Sequence, residues 1–123
     1  MTQVLRHLQP PTDPNLIVGV STHNDAQLID GIAMPVNYLA IGPVFATSTK
    51  ERPDPVVGLA GVSAARRRVA GDGRALVAIG GVTLDTVRPV VDAGADAVAV
   101  IGDLLVGDPS RRAREYLRAL EAR

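Results

Sequence analysis

Cysteine is absent from the 123-residue chain, which excludes disulfides, thiolate metal sites and cysteine nucleophiles. Aromatic residues are scarce: there is no Trp, one Phe and two Tyr. A core must therefore be built from Val, Ala, Leu and Ile, with Gly where backbones approach closely, a mixture suited to parallel strands under helices. An excess of charge is missing too, since 13 basic residues face 13 acidic ones. No global field exists to attract nucleic acid or an anionic membrane surface. No run of about 18 apolar residues occurs, and Met1 to Gln9 carry no cationic segment followed by a long apolar stretch. The expectation is a soluble, cytoplasmic chain with neither nucleic acid nor membrane as partner.

What is present reads as one α/β domain: 46% of residues are hydrophobic and 21% charged, ordinary values for a globular chain. Four apolar runs, Leu16–Val20, Tyr38–Ile41, Leu76–Ile79 and Ala97–Ile101, are expected as strands. None alternates apolar with polar, which favours a parallel sheet covered on both faces.

Helix signals separate the runs. Asn24 with Gln27 three residues on makes a capping box, for a helix closed by Gly31 and Pro35. Val62, Ala65 and Val69 form a helical stripe with Arg66, Arg67 and Arg68 on or near its solvated side. Thr83 is expected to cap a helix carrying Leu84, Val87, Val90 and Val91 and stopped by Gly94. Asp108 and Pro109 start a last helix whose Ala113, Tyr116, Leu117 and Leu120 make an amphipathic face. With a leading helix fragment near Val4–Leu8, the chain reads as a single domain: 1–15 helix fragment and loop, 16–109 strands and loops, 110–123 final helix. Strand and helix alternate throughout, as in right-handed βαβ units.

In parallel α/β folds ligands meet the carboxyl ends of the strands. The four runs end in Ser21-Thr22-His23, Gly42-Pro43, Gly80-Gly81 and Gly102. Glycine lets an oxyanion approach backbone N–H groups, although a glycine can equally serve only a tight turn. The last two strand ends together suggest a phosphate cradle. The irregular stretch from Pro43 to Val57 contains Thr47-Ser48-Thr49-Lys50, three hydroxyls and an ammonium that suit an anion. Lys50 is the only lysine among the thirteen basic residues, so the one compact ammonium falls in this loop. Asp103, following the last strand end, reads as a helix-start residue. The other acids show no metal-ligand spacing, and His7, ahead of the sheet, reads as packed or solvated.

Gly19-Val20-Ser21-Thr22-His23, Ile41-Gly42-Pro43-Val44-Phe45 with Thr47 to Lys50, Ala78-Ile79-Gly80-Gly81-Val82, and the segment from Ala93 to Ile101 resemble, in order and spacing, the second half of the thiamine phosphate synthase family. The resemblance implies a partial (β/α)8 barrel, a C-terminal half-barrel of four parallel strands. It also implies a transferase in thiamine biosynthesis that joins hydroxymethylpyrimidine pyrophosphate to thiazole phosphate, with Mg2+ assisting departure of pyrophosphate. By position, Ser21 contacts the pyrimidine, Thr47, Ser48 and Thr49 hold the thiazole phosphate region, and Lys50 neutralises the leaving pyrophosphate. Ser21 and Lys50 are the catalytic candidates; Gly80, Gly81, Ile101 and Gly102 bind the thiazole phosphate.

The sequence departs from the family pattern at Ser48, where proline is usual, and at Gly102, where serine is usual. A full barrel has eight strands and commonly about 250 residues, so the magnesium ligands and pyrophosphate segment of the first half are not expected in this chain. Its sheet would have open edges, calling for a complementary half-barrel or a homo-oligomer. Two other readings stand beside the synthase: a thiazole tautomerase-like enzyme with His23 as acid or base, and a non-catalytic half-barrel that binds phosphate or a partner chain.

Overall fold

Tyr38-Leu39-Ala40-Ile41 lies between two parallel neighbours, and the rest of the sheet is arranged around it. The computed structural model describes residues 13–47, 54–71 and 73–121. Strand β2 (Tyr38–Ile41) pairs with β1 (Gly19–Thr22) on one side and with β3 (Ala75–Ile79) on the other. Strand β4 (Ala97–Ala99) adds to β3, so the order is β1-β2-β3-β4, all parallel. Helices α1 (Asp25–Ile32), α2 (Gly58–Val69), α3 (Val87–Ala93) and α4 (Pro109–Glu121) alternate with the strands, and a 3-10 turn (Asp103–Leu105) precedes α4. Sequential parallel strands with an intervening helix each time are the repeating unit of a (β/α) barrel, here four units of it. The expected helix near Val4–Leu8, and His7 within it, lie outside the described residues.

The first strand differs from expectation. Hydrophobicity places it at Leu16–Val20, yet pairing begins at Gly19 and runs through the polar Ser21 and Thr22. The partner sets the limits: β2 starts at Tyr38, opposite Gly19, so Leu16 and Ile17 have no strand to pair with and are 54% and 74% exposed. Thr22, 1% exposed, is tolerated inside because its hydroxyl donates to the Ala40 carbonyl at 2.8 Å. Strand β4 is also shorter than the run Ala97–Ile101, because β3 ends at Ile79 and offers no partner beyond Ala99.

Each helix follows from its local chemistry. The Asn24 side chain accepts the Gln27 N–H at 2.8 Å, while the Gln27 side chain accepts the His23 N–H, one residue earlier than the usual reciprocal bond. At the other end of α1, the Arg74 guanidinium donates to the carbonyls of Ile32 and Met34. Helix α2 buries Val62, Ala65 and Val69 as expected. Its arginines fan out: Arg68 makes a two-pronged pair with Asp25, and Arg66 reaches Asp96 and the Gly94 carbonyl.

Helix α3 starts later than a Thr83 cap implies. The Thr86 hydroxyl accepts the Thr83 N–H, and the Val87 N–H donates to the Thr83 carbonyl, so Thr83–Thr86 form a turn leading into it. In α4, Asp108 accepts the Ser110 N–H and Tyr116 is buried, but Leu117 is 59% exposed. Among the described residues the helix packs mainly on α3 and the 3-10 turn. Leu117, about 100° around the helix from Tyr116, therefore falls off the narrow buried face.

The core lies between sheet and helices. Leu28, Leu39, Ile41, Ala65, Val69 and Leu76 make one cluster, and Val44, Val62, Ala78, Val87, Val90 and Tyr116 anchor a second. Cover on both faces of the sheet is not found among the described residues. Ser21, Ala75 and Ala97 are exposed and Val77, Ile79 and Ala99 half-buried, whereas Leu39, Leu76 and Ala78 are fully buried. Period-two alternation of burial along β3, hidden in a sequence that is apolar throughout, separates the closed face from the open one.

Candidate functional site

The carboxyl ends of all four strands open onto one cavity of about 500 Å³. Ser21 and His23 reach it from β1, Gly42 and Thr47 from β2, Gly80 and Gly81 from β3, and Ile101 and Gly102 from β4. These residues are far apart in sequence; parallel pairing in register sets their strand ends side by side.

The loop after β2 is held on the site from both ends. Val44 and Phe45 N–H groups donate to the carbonyls of Ile79 and Gly80, at 3.0 Å each, which carries the β2–β3 pairing past the strands. Val57 and Gly58 N–H groups return to the carbonyls of Pro43 and Val44 at 2.8 and 3.0 Å, closing the loop where α2 begins. The Gly42–Pro43 peptide is cis. Thr47 is thereby placed on the cavity; Ser48, Thr49 and Lys50 lie outside the described residues.

The glycine pair after β3 has a demand of its own. Gly80 and Gly81 have φ of +98° and +68°, a region other residues enter only at a cost. A Cβ on Gly81 would lie 2.6 Å from the Ala46 carbonyl oxygen and 2.8 Å from that of Phe45, and one on Gly80 would lie 2.6 Å from Pro43 Cα. Glycine here permits the tight turn and lets two loops touch, and the same contact brings Gly81 beside the loop that carries Thr47. Gly102 differs: its φ is −61° and a Cβ there meets nothing within 4 Å. Neither turn geometry nor packing requires glycine at 102.

His23 is oriented rather than loose. Its Nδ1 lies 2.9 Å from the Gly42 carbonyl oxygen and 3.5 Å from an oxygen of Asp54. Because a carbonyl only accepts, the contact places a proton on Nδ1 and leaves Nε2 of the neutral ring as the acceptor. Asp54 also lines the cavity. Sequence reasoning passed over it, because it sits in an irregular segment without periodicity or motif. Thr83, read as a helix cap, lines the cavity as well.

Asp103 opens the 3-10 turn, as a helix-start residue would, but its side chain does not cap that turn. Its carboxylate accepts the Leu84 N–H at 2.8 Å, both oxygens face the Arg112 guanidinium, and the Tyr116 hydroxyl donates to it. Burial pushes the Asp103 carboxyl up, but the donors Tyr116, Arg112 and Leu84 outweigh it and hold the group below the ordinary carboxylate range. Burial and the adjoining carboxylate push the Tyr116 phenol up, so it remains a donor.

No group of three or more His, Cys, Asp or Glu side chains comes together to hold a metal ion among the described residues. Among the described residues, the carboxylates on the cavity are Asp54 and Asp103, and the second accepts four hydrogen bonds. The described residues do not fit a magnesium site.

Four sequential βα units with one cavity at their strand ends place the chain in the (β/α) barrel class. The model of the thiamine monophosphate synthase family matches residues 4–104, and the chain belongs to that family. It is 53% identical over 109 residues to a thiamine-phosphate synthase of Koribacter versatilis, covering 89% of this chain and 50% of the relative. A thiamine-phosphate synthase of Chloroflexus aurantiacus is 37% identical over 106 residues, covering 86% and 48%. The solved thiamine phosphate pyrophosphorylase of Pyrococcus furiosus superposes with a TM-score of 0.75 at 29% identity, over 88% of this chain and 50% of that one. The chain thus spans about half the length of the relatives it matches.

Proposed function

We propose that the chain serves thiamine phosphate synthesis, as the half of a barrel that receives the thiazole phosphate. In the proposed reaction the C–O bond between the pyrimidine methylene and pyrophosphate breaks, its electron pair leaving with the oxygen. The thiazole nitrogen then donates its lone pair to the methylene carbon, forming the C–N bond of thiamine phosphate and releasing pyrophosphate.

In this reading Ser21 contacts the pyrimidine, and Thr47 with Ser48 and Thr49 holds the thiazole phosphate region. Gly80, Gly81, Ile101 and Gly102 take the phosphate, and Lys50 neutralises the departing pyrophosphate. Stabilising the charge that develops on a leaving group is where such a site gains most. The observation that carries the reading is convergence: the described members of this set, from four separate strand ends, line one cavity. The relatives' names support the same substrate class. A homo-oligomer or a complementary half-barrel completing the sheet, and a cytoplasmic location, belong to the same proposal.

The test is an assay of the purified protein with both substrates and magnesium, scoring thiamine phosphate, beside calorimetric titration with the thiazole phosphate alone. Product supports the synthase. Binding without product supports a phosphate-binding half-barrel, and neither overturns the reading. One observation favours a second reading: the Nδ1 contact of His23 with the Gly42 carbonyl presents a fixed imidazole to the cavity, as a thiazole tautomerase needs. Turnover of a thiazole carboxylate phosphate without any pyrimidine substrate separates the two.

A further inference from the structure

The phosphate cradle proposed above is made by two loops, and they are anchored differently. The β3 loop is fixed by its contacts with the loop after β2. Gly102 hangs from β4, a three-residue strand that among the described residues is paired on one side, and no described atom lies within 4 Å of a Cβ built on it. Donors of an oxyanion site gain their strength by being set in place before the ligand arrives, and an ångström of slack removes much of it. Something must fix the end of β4 relative to β3.

Asp103 has the geometry for that. It follows Gly102 directly, lines the cavity and has a side chain only 13% exposed. Its Oδ2 takes the Leu84 N–H, where the β3 loop runs on toward α3, and the Tyr116 hydroxyl from α4. Arg112, also on α4, reaches the two oxygens at 2.9 and 3.1 Å and donates its Nε to the Asp103 carbonyl at 3.2 Å. Three of these side-chain contacts fall on Oδ2 and one on Oδ1. The carboxylate thereby joins the β3 loop, the β4 loop and the final helix.

We infer that Asp103 is a positioning residue for the phosphate cradle, its carboxylate setting the separation between the Gly81 and Gly102 strand ends. The inference rests on the reading that those two ends hold a phosphate. It also makes a counter-intuitive claim, because removing a carboxylate beside a phosphate site should strengthen anion binding if charge alone mattered.

The experiment is calorimetric titration of inorganic phosphate into the full chain and its Asp103→Asn, Tyr116→Phe and Asp96→Asn variants, at low and high salt. Asp96 lies at the other rim of the sheet, where its substitution lowers stability without touching the cradle. Asp103→Asn is expected to weaken phosphate binding roughly tenfold. The loss should persist at high salt, whereas a screened charge effect would shrink. Asp96→Asn should leave affinity unchanged. Should Asp103→Asn fail to fold, Tyr116→Phe decides: weaker binding by a folded protein supports the inference, and wild-type affinity overturns it. Equal or tighter binding by Asp103→Asn also overturns it. A wild-type chain that binds no phosphate overturns the cradle reading and this inference together, whereas wild-type binding with unchanged variants overturns this inference alone.

Discussion

Asp96 and Leu76 hold each other twice: the Asp96 N–H donates to the Leu76 carbonyl at 2.8 Å, and the Leu76 N–H donates to Asp96 Oδ2 at 2.8 Å. The same oxygen accepts from Arg66 of α2 at 2.8 Å. The pair sits at the amino ends of β3 and β4, the rim away from the cavity. It closes the turn from α3 into β4, and it gives the Gly94-Ala95-Asp96 segment a reason that owes nothing to ligand binding. In barrels the amino-terminal rim serves stability and the carboxyl-terminal rim chemistry, and Asp96 and Asp103 are divided between the rims in that way.

Replacing Asp96 by Ala removes the acceptor of a buried strand N–H, since Leu76 is fully buried. An orphaned buried donor costs about 1–3 kcal/mol, and the half-exposed ion pair with Arg66 adds little. Asp96→Ala should lower the denaturation midpoint in urea by a corresponding amount while phosphate affinity stays at the wild-type level.

Acid should act through the same two carboxylates. The Leu76 N–H, ahead of Arg66 and against a smaller opposing effect of burial, holds the Asp96 carboxyl below its ordinary range. The Asp103 carboxyl is likewise depressed. A folded-state value below the unfolded one means that the stabilisation is complete above the unfolded value, about pH 3.9, and is lost as pH falls through the folded value. Urea midpoints should therefore be flat from pH 7 to about 5 and drop below about pH 4. In Asp96→Asn the acid-dependent part of the drop should shrink; an identical acid profile would contradict the assignment.

The glycines of the cavity should respond in opposite ways. Gly81→Ala places a Cβ 2.6 Å from the Ala46 carbonyl at φ +68°; the left-handed conformation alone costs about 1–2 kcal/mol. The variant should lose stability and phosphate binding together. Gly102→Ser adds a side chain into open space at φ −61°, so stability should change by less than about 0.5 kcal/mol. Its hydroxyl can donate to a bound phosphate, so affinity should hold or rise. Thermal melts and phosphate titration of both variants provide the comparison.

Local sequence patterns carry part of this fold and not the rest. The order of strands and helices, and the meeting of the described strand-end residues on one rim, were legible, because the capping pair Asn24 and Gln27, the stripe Val62, Ala65, Val69 and the glycines after the strands are local patterns. The ends of β1 and β4 were not, because a strand stops where its partner stops, and Leu16 and Ile17 are as apolar as any paired residue. Nor was the work of Asp103, Arg112 and Tyr116. The last two share a helical face at i, i+4 spacing, a visible signal, but only the fold brings Asp103 and the Leu84 N–H to them. Asp54 had no local signal at all.

The edges of the sheet carry the last prediction. Among the described residues, strands β1 and β4 each have one neighbour, leaving their outer N–H and C=O groups unpaired within the sheet, and the face opposite the helices is open along Ser21, Ala75 and Ala97. Leu16 and Ile17 are exposed near the β1 edge, and Ile101, Leu105 and Val106 beyond β4. Such edges and apolar surfaces pair with whatever complementary chain is available. A rotation of two copies about the axis of the arc would set β4 of each beside β1 of the other with all strands still parallel, the geometry of a closed eight-stranded barrel. Sedimentation velocity over a concentration series of this 123-residue chain should therefore show association that rises with concentration, with the thermal midpoint rising alongside it. A cooperatively folded species that stays strictly monomeric across the series would mean that the open edges are tolerated, and the expectation of a completing partner would then fail.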